Sequence, residues 1–87
     1  MKKYIQEKYI YKYKEKYIEK FVCDYSIGMD KYIFVKPTDN IFEAVQGDYP
    51  FSEYIEKNKE YFYISFDERL NPEEIISEKI KIEITKI

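Results

Sequence analysis

Residues 71–85 read Asn-Pro-Glu-Glu-Ile-Ile-Ser-Glu-Lys-Ile-Lys-Ile-Glu-Ile-Thr, and two patterns meet in them. Asn71 can cap a helix, Pro72 suits a first helical turn, and Glu73 and Glu74 fall at the positive end of a helix dipole. Further on, Ile80, Ile82 and Ile84 alternate with Lys81, Glu83 and Thr85, the period-two signature of a half-buried strand. The first half predicts a short helix over 72–78, the second a strand over 79–86. A chain carrying both signals points to an α+β fold.

The same two signals recur upstream. Tyr61 to Phe66 is the clearest strand, with Phe62, Ile64 and Phe66 on one face and Tyr61, Tyr63 and Ser65 on the other. Pro50 fits a first turn, and Phe51, Tyr54 and Ile55 repeat at helical spacing, which predicts a helix over 50–58. Asn40 followed three residues later by Glu43 resembles a capping box, and Gly47 stands where a helix over 41–46 would stop. Tyr32 to Lys36 reads as a strand halted by Pro37. The turn Ile27-Gly28-Met29-Asp30 joins it to a strand over 17–26, giving a hairpin.

The N-terminal segment carries two periods. Tyr9, Tyr11, Tyr13, Tyr17, Phe21, Cys23 and Tyr25 occupy odd positions, interrupted by Glu15 and Glu19. A helix would align Ile5, Tyr9, Tyr13, Tyr17 and Phe21, but it would also stack Lys8, Lys12, Lys16 and Lys20, which repel. Lys, Glu and Gln favour the helix on propensity. The strand reading is preferred for 3–13. The expectation is one domain over 1–87, with a mostly antiparallel sheet of about four strands and two or three short helices on one face. Phe21, Cys23, Phe34, Phe62, Ile64, Phe66, Ile80, Ile82 and Ile84 are its expected core.

With 87 residues and 10.8 kDa, the chain has room for one modest core. It has no His, one Cys and two Gly. That removes His-based triads, zinc sites built from His or several cysteines, internal disulfides and Gly-rich phosphate loops. Aromatics reach 20%, with eleven Tyr and no Trp. The longest uncharged run, 61–66, is far short of the ~20 apolar residues of a membrane span. The Lys-rich start has no apolar stretch behind it, so no signal peptide is expected and the cytoplasm is the expected compartment. Cys23 is expected to be buried and inert.

Charge is uneven. Residues 1–36 hold nine Lys against five acids, and residues 37–78 hold eleven acids against Lys57, Lys59 and Arg69. The net charge of -2 hides this split.

Catalytic chemistry finds no foothold. Asp67-Glu68 and Glu73-Glu74 are adjacent pairs, which suit solvation or capping better than a converging acid–base site. Ser26, Ser52, Ser65 and Ser77 have no His to activate them, nor does Cys23. The acids at 67, 68, 73 and 74 do not match a calcium loop. No enzyme activity, metal or cofactor is expected.

Three binding readings remain. Lys8, Lys12, Lys14, Lys16 and Lys20 interleave with Tyr9, Tyr11, Tyr13 and Tyr17, the ingredients of single-strand nucleic-acid binding. Scarce Arg and a net acidic chain weigh against it. Homo-oligomerisation through an edge strand or a Tyr face is another. The favoured reading is a protein-binding module of inhibitor, immunity or anti-defence type. It would dock on a basic partner, such as a nuclease or nucleic-acid-binding complex, through an acidic face carrying tyrosines. The candidate acids are Glu43, Asp48, Glu53, Glu56, Glu60, Asp67, Glu68, Glu73 and Glu74, with Tyr49, Tyr54 and Tyr61 as aromatic anchors.

Overall fold

The computed structural model describes residues 2–25, 31–55, 60–65 and 68–86. These form strands β1 (Lys2–Tyr13), β2 (Lys16–Tyr25), β3 (Lys31–Thr38), β4 (Glu60–Ser65), β5 (Glu68–Leu70) and β6 (Ile75–Lys86). They make one sheet in the order β5-β4-β3-β2-β1-β6. Neighbours are antiparallel except β3 and β4, which run parallel. The α+β expectation is therefore overturned: the described residues form a nearly all-β fold, and six strands replace four.

The three expected helices shrink to single 3-10 turns at Ile41–Glu43, Phe51–Glu53 and Pro72–Glu74. Two of the caps, Asn40 and Asn71, are nevertheless where the sequence places them, whereas Pro50 precedes its turn and makes no side-chain cap. The Asn40 side-chain oxygen accepts from the Phe42 N–H at 3.0 Å, and that of Asn71 from the Glu73 N–H at 3.0 Å. Propagation is what fails. A helical nucleus is unfavourable until further turns follow it, and the turns at 41–43 and 72–74 each run into a competitor. After Glu74 come β-branched Ile75 and Ile76, and residues 75–86 pair with β1 from Tyr13↔Ile75 to Lys2↔Lys86. One capped turn cannot outweigh that ladder. After Glu43 the chain extends instead, and the Val45 N–H donates to the Ile18 carbonyl at 2.9 Å. Gly47 exchanges two 2.8 Å hydrogen bonds with Tyr9. It is a bridge residue rather than a helix stop. Of the expected helix 50–58, residues 56–59 lie outside the described residues.

Strand 3–13 is present as β1, and the expected hairpin as β2–β3, its turn lying outside the described residues. A two-residue turn, Lys14-Glu15, joins β1 to β2, with Lys14 at φ 55°. Beyond Lys12↔Tyr17 the two strands part, and the segment around Val45 and Gly47 bonds to both. In β2 the register against β3 shifts between Ile18 and Lys20. This bulge moves the inward phase from even to odd positions. Ile18, Phe21 and Cys23 thereby share a face with Ile33 and Val35.

That face carries the core. Tyr11, Ile18, Ile33, Val35, Phe62, Leu70 and Ile75 pack with Phe51 from its 3-10 turn. Phe51 is the hub of the rings, 5.3 Å from Phe21, 5.7 Å from Tyr11 and 5.6 Å from Phe62 between centroids. The expected core is right for Phe62 and partly right for Phe21 and Ile64, which are half-buried against the cluster. It is wrong elsewhere. Phe34 lies on the reverse face from Ile33 and Val35, Cys23 is exposed, and Ile84 is 60% exposed. Ile80 and Ile82 are half-buried; Phe66 lies outside the described residues. The physical reason is topological. β6 reaches the core at Ile75, while its remainder runs out along β1 as a ribbon, making a molecule of 54 × 23 × 19 Å. Among the described residues no helix is long and apolar enough to cross a membrane.

Candidate functional site

Alternation in β3 and β4 builds an aromatic array on the face opposite the core. The parallel register sets Tyr32 beside Tyr61, Ile33 beside Phe62 and Phe34 beside Tyr63. Ile33 and Phe62 point into the core, so their neighbours point away from it. The Tyr32 ring lies 5.5 Å from Tyr61 and 6.0 Å from Tyr63, at interplanar angles of 25° and 31°. Phe34 lies 5.8 Å from Tyr63. From β5, the Arg69 guanidinium sits 4.9 Å above the Tyr61 ring, a cation–π contact. Val22, opposite Phe34, is 48% exposed. The rings of Tyr32, Tyr61 and Tyr63 are half-buried, so each offers part of its surface to a partner.

The twelve residues expected to form an acidic face are scattered by the fold. Tyr61 belongs to the aromatic array. Tyr54 lies on the other side of the sheet, where its hydroxyl accepts from the Asp48 and Tyr49 N–H groups at 3.0 and 3.2 Å. Asp48 is ion-paired with Lys8. Glu43 closes back on the Asn40 side-chain amide at 3.2 Å. Tyr49 is 55% exposed. Glu53, Glu68, Glu73 and Glu74 are exposed and form no ion pair among the described residues. Glu60 starts β4; Glu56 and Asp67 lie outside the described residues. Tyr32, Tyr63, Arg69 and Val22 were absent from the expected site. Their signal is the alternation within 32–36 and 61–66, but only the long-range parallel pairing brings the two runs together.

The Lys/Tyr segment is largely committed within the chain. Lys12 pairs with Glu78 at 3.5 Å and Lys16 with Asp39 at 3.6 Å. Tyr11 is buried and donates to the Tyr49 carbonyl at 2.7 Å. Burial, with the neighbouring Tyr54 hydroxyl, pushes the Tyr11 pKa well above its ordinary value.

On the core face a cavity of about 360 Å³ is lined by Tyr11, Phe21, Ile33, Phe51, Tyr54 and Phe62, with Cys23 and Lys31 also bordering it. Cys23 is thus exposed and borders this space rather than being buried. The described lining has no carboxylate or imidazole to serve as a base. No group of three or more metal-ligating side chains converges among the described residues. No protein-family model, no curated protein and no solved structure matches the chain.

Proposed function

We propose that this chain is a non-enzymatic, cytoplasmic protein-binding module of inhibitor, immunity or anti-defence type. The observation that carries the reading is the array of Tyr32, Tyr61 and Tyr63 with Arg69 above it. Tyr and Arg are the side chains enriched at interface hot spots. Tyrosine adds large contact area at little entropic cost, and its hydroxyl tolerates water while the surface is free. Glu53, Glu68, Glu73 and Glu74, which form no ion pair among the described residues, supply negative charge that speeds encounter with a basic partner.

The test is capture from untreated and nuclease-treated lysates of the source organism. A protein partner is expected that survives nuclease treatment. It should be lost when Tyr61→Ser and Tyr63→Ser are combined, and kept when Lys14 and Lys20 are reversed to Glu. Recovery of nucleic acid alone, abolished by the lysine reversals and indifferent to the tyrosines, overturns the reading.

A further inference from the structure

β6 is an edge strand of twelve residues with neither Pro nor Gly, and its outer edge is open among the described residues. Long edges of this kind invite pairing, and proteins usually blunt them. The opposite edge of the sheet is blunted in one such way, because β5 is three residues long. Beyond Tyr9 the ribbon formed by β1 and β6 consists of two strands only, an arrangement that is marginal alone in water.

The sequence of this edge is self-complementary. Place a second β6 antiparallel to the first, with Ile82 opposite Ile82 about a two-fold axis. Ile80 then faces Ile84, Lys81 faces Glu83, Lys79 faces Thr85 and Glu78 faces Lys86. Every opposed pair is apolar with apolar, acid with base, or a lysine with a neutral hydroxyl. Moving the axis one residue along each strand to Lys81 or Glu83 sets like charges face to face there. Half-residue shifts oppose Ile82 to Lys81 or to Glu83. The free edge of β1 fares worse: centring it on Ile5 puts Lys2 opposite Lys8.

The charges within one chain fit this register. Lys79 is already held by Glu7 at 2.9 Å, and it is the lysine that meets a neutral residue. Lys81 and Lys86 form no ion pair among the described residues, and they are the ones that meet Glu83 and Glu78. Those two glutamates also face Lys3 and Lys12 of their own chain, at 3.4 and 3.5 Å. Each would bridge a lysine from either side. On the surface that also carries Glu78 and Lys86, Ile80, Ile82 and Ile84 would join their copies in a strip of cross-strand contacts.

We infer that β6 is a homodimer interface: two copies pair edge to edge, antiparallel about Ile82, joining their sheets into one. A two-fold pairing uses up the edge in both copies, so it closes at the dimer. The inference is independent of the aromatic array, which lies at the far end of the sheet on β3 and β4.

Sedimentation of the wild-type chain at tens of micromolar should show a dimer. Register is then read by cysteine cross-linking in a Cys23→Ser background. Directly opposed positions have Cβ atoms about 5 Å apart, so Ile82→Cys should cross-link to a disulfide dimer under mild oxidation. Ile80→Cys should not, since residues 80 of the two copies would be roughly 13 Å apart along the strands, beyond disulfide reach. Circular dichroism of each variant checks that the sheet persists. As a second measure, Lys81→Glu should weaken the dimer at least tenfold, and adding Glu83→Lys should restore it. A monomer at these concentrations, equal cross-linking at 80 and 82, or growth beyond the dimer would overturn the inference.

Discussion

Gly47→Ala tests how the segment between β1 and β2 is held. A Cβ at this position would lie 2.0 Å from the Tyr11 hydroxyl oxygen, 3.0 Å from Tyr11 Cζ and 3.1 Å from the Tyr54 hydroxyl. The first distance is impossible for real atoms, so Tyr11 or the segment must move. Tyr11 has little room. It is 2% exposed, wedged edge-on against Phe21, Phe51 and Tyr54, and its hydroxyl is bonded to the Tyr49 carbonyl. Retreat would break that bond, costing about 1 kcal/mol. Overpacking adds roughly 1–3 kcal/mol. Against this, alanine restricts the unfolded chain and returns about 0.4–1 kcal/mol. Gly47 does not have positive φ, so backbone strain contributes nothing. The net expectation is a loss of about 1–3 kcal/mol, or roughly 5–25 °C in Tm for a domain of this size.

A double-mutant cycle isolates the cause. Tyr11→Phe removes the atom at 2.0 Å and gives up the hydrogen bond on its own account. In the Tyr11→Phe background, Gly47→Ala should therefore cost at least ~1 kcal/mol less than in the wild type, a coupling expected only of residues in contact. Urea titration of the four proteins measures it. If Gly47→Ala is neutral or stabilising, or costs the same in both backgrounds, the packing of 44–49 against Tyr11 is not as described.

Three further outcomes are expected. Stability should be highest between about pH 5 and 10 and fall on both sides. Lys79 and Lys36 hold the Glu7 and Glu19 carboxyls below their usual range, so those contributions are present above ~pH 4.3 and are lost as pH falls through the folded values. The raised pKa values of Tyr11, Lys36 and Lys79 act oppositely: their contributions are full below ~pH 10 and are lost as pH rises through the folded values. A denaturation series showing no alkaline fall would contradict this. Cys23 should react with a thiol reagent in the native state within a few-fold of its rate in denaturant; strong protection would mean that the cavity is closed. Phe62→Ala should cost ~3–5 kcal/mol, whereas Phe42→Ser, at a side chain 94% exposed, should stay within ~0.5 kcal/mol by thermal melting. Equal costs at the two positions would place the core elsewhere.

The caps at Asn40 and Asn71 and the alternation of β1 and β4 are local signals that the structure carries, whereas the three expected helices and the α+β class depend on what local signals cannot carry. Asn40 and Asn71 do cap turns, because a cap needs only two or three neighbouring residues. Whether a helix follows depends on competition from a distant strand, and β1 lies some seventy residues away from its partner β6. The breaks at Glu15 and Glu19 were visible in the alternation, and they mark the hairpin turn and the bulge. Their effect on facing was not visible. Tyr13 and Tyr17 share odd parity but lie on opposite faces, as Lys12 over the Tyr17 ring attests. Parity also misled in β3, where Ile33 and Val35 face inward and Phe34 outward, although the larger ring is the stronger hydrophobe. The parallel pairing of β3 with β4 had no local signature, so the array at Tyr32, Tyr61 and Tyr63 could not be assembled from the chain alone.

The same topology changes what the charge pattern means. A basic first third and an acidic middle would make a bipolar molecule if each folded on itself. They do not: Lys3, Lys8, Lys12 and Lys16 find Glu83, Asp48, Glu78 and Asp39 across strand ladders and loop contacts. Such exposed pairs contribute little to stability, typically ~0–1 kcal/mol each. Their larger consequence is to cancel the long-range field that the sequence implies. Of the acids expected to face a partner, Glu53, Glu68, Glu73 and Glu74 are exposed and form no ion pair among the described residues, and two of these stand in the turn that leads into β6. Glu68 adjoins Arg69, whose guanidinium covers Tyr61. Alternation in β5 sets Glu68 on the core side with Tyr13 and Ile64, opposite the face where Arg69 covers Tyr61, so the charge left over by folding flanks the aromatic array and acts on a partner at a distance rather than as part of it.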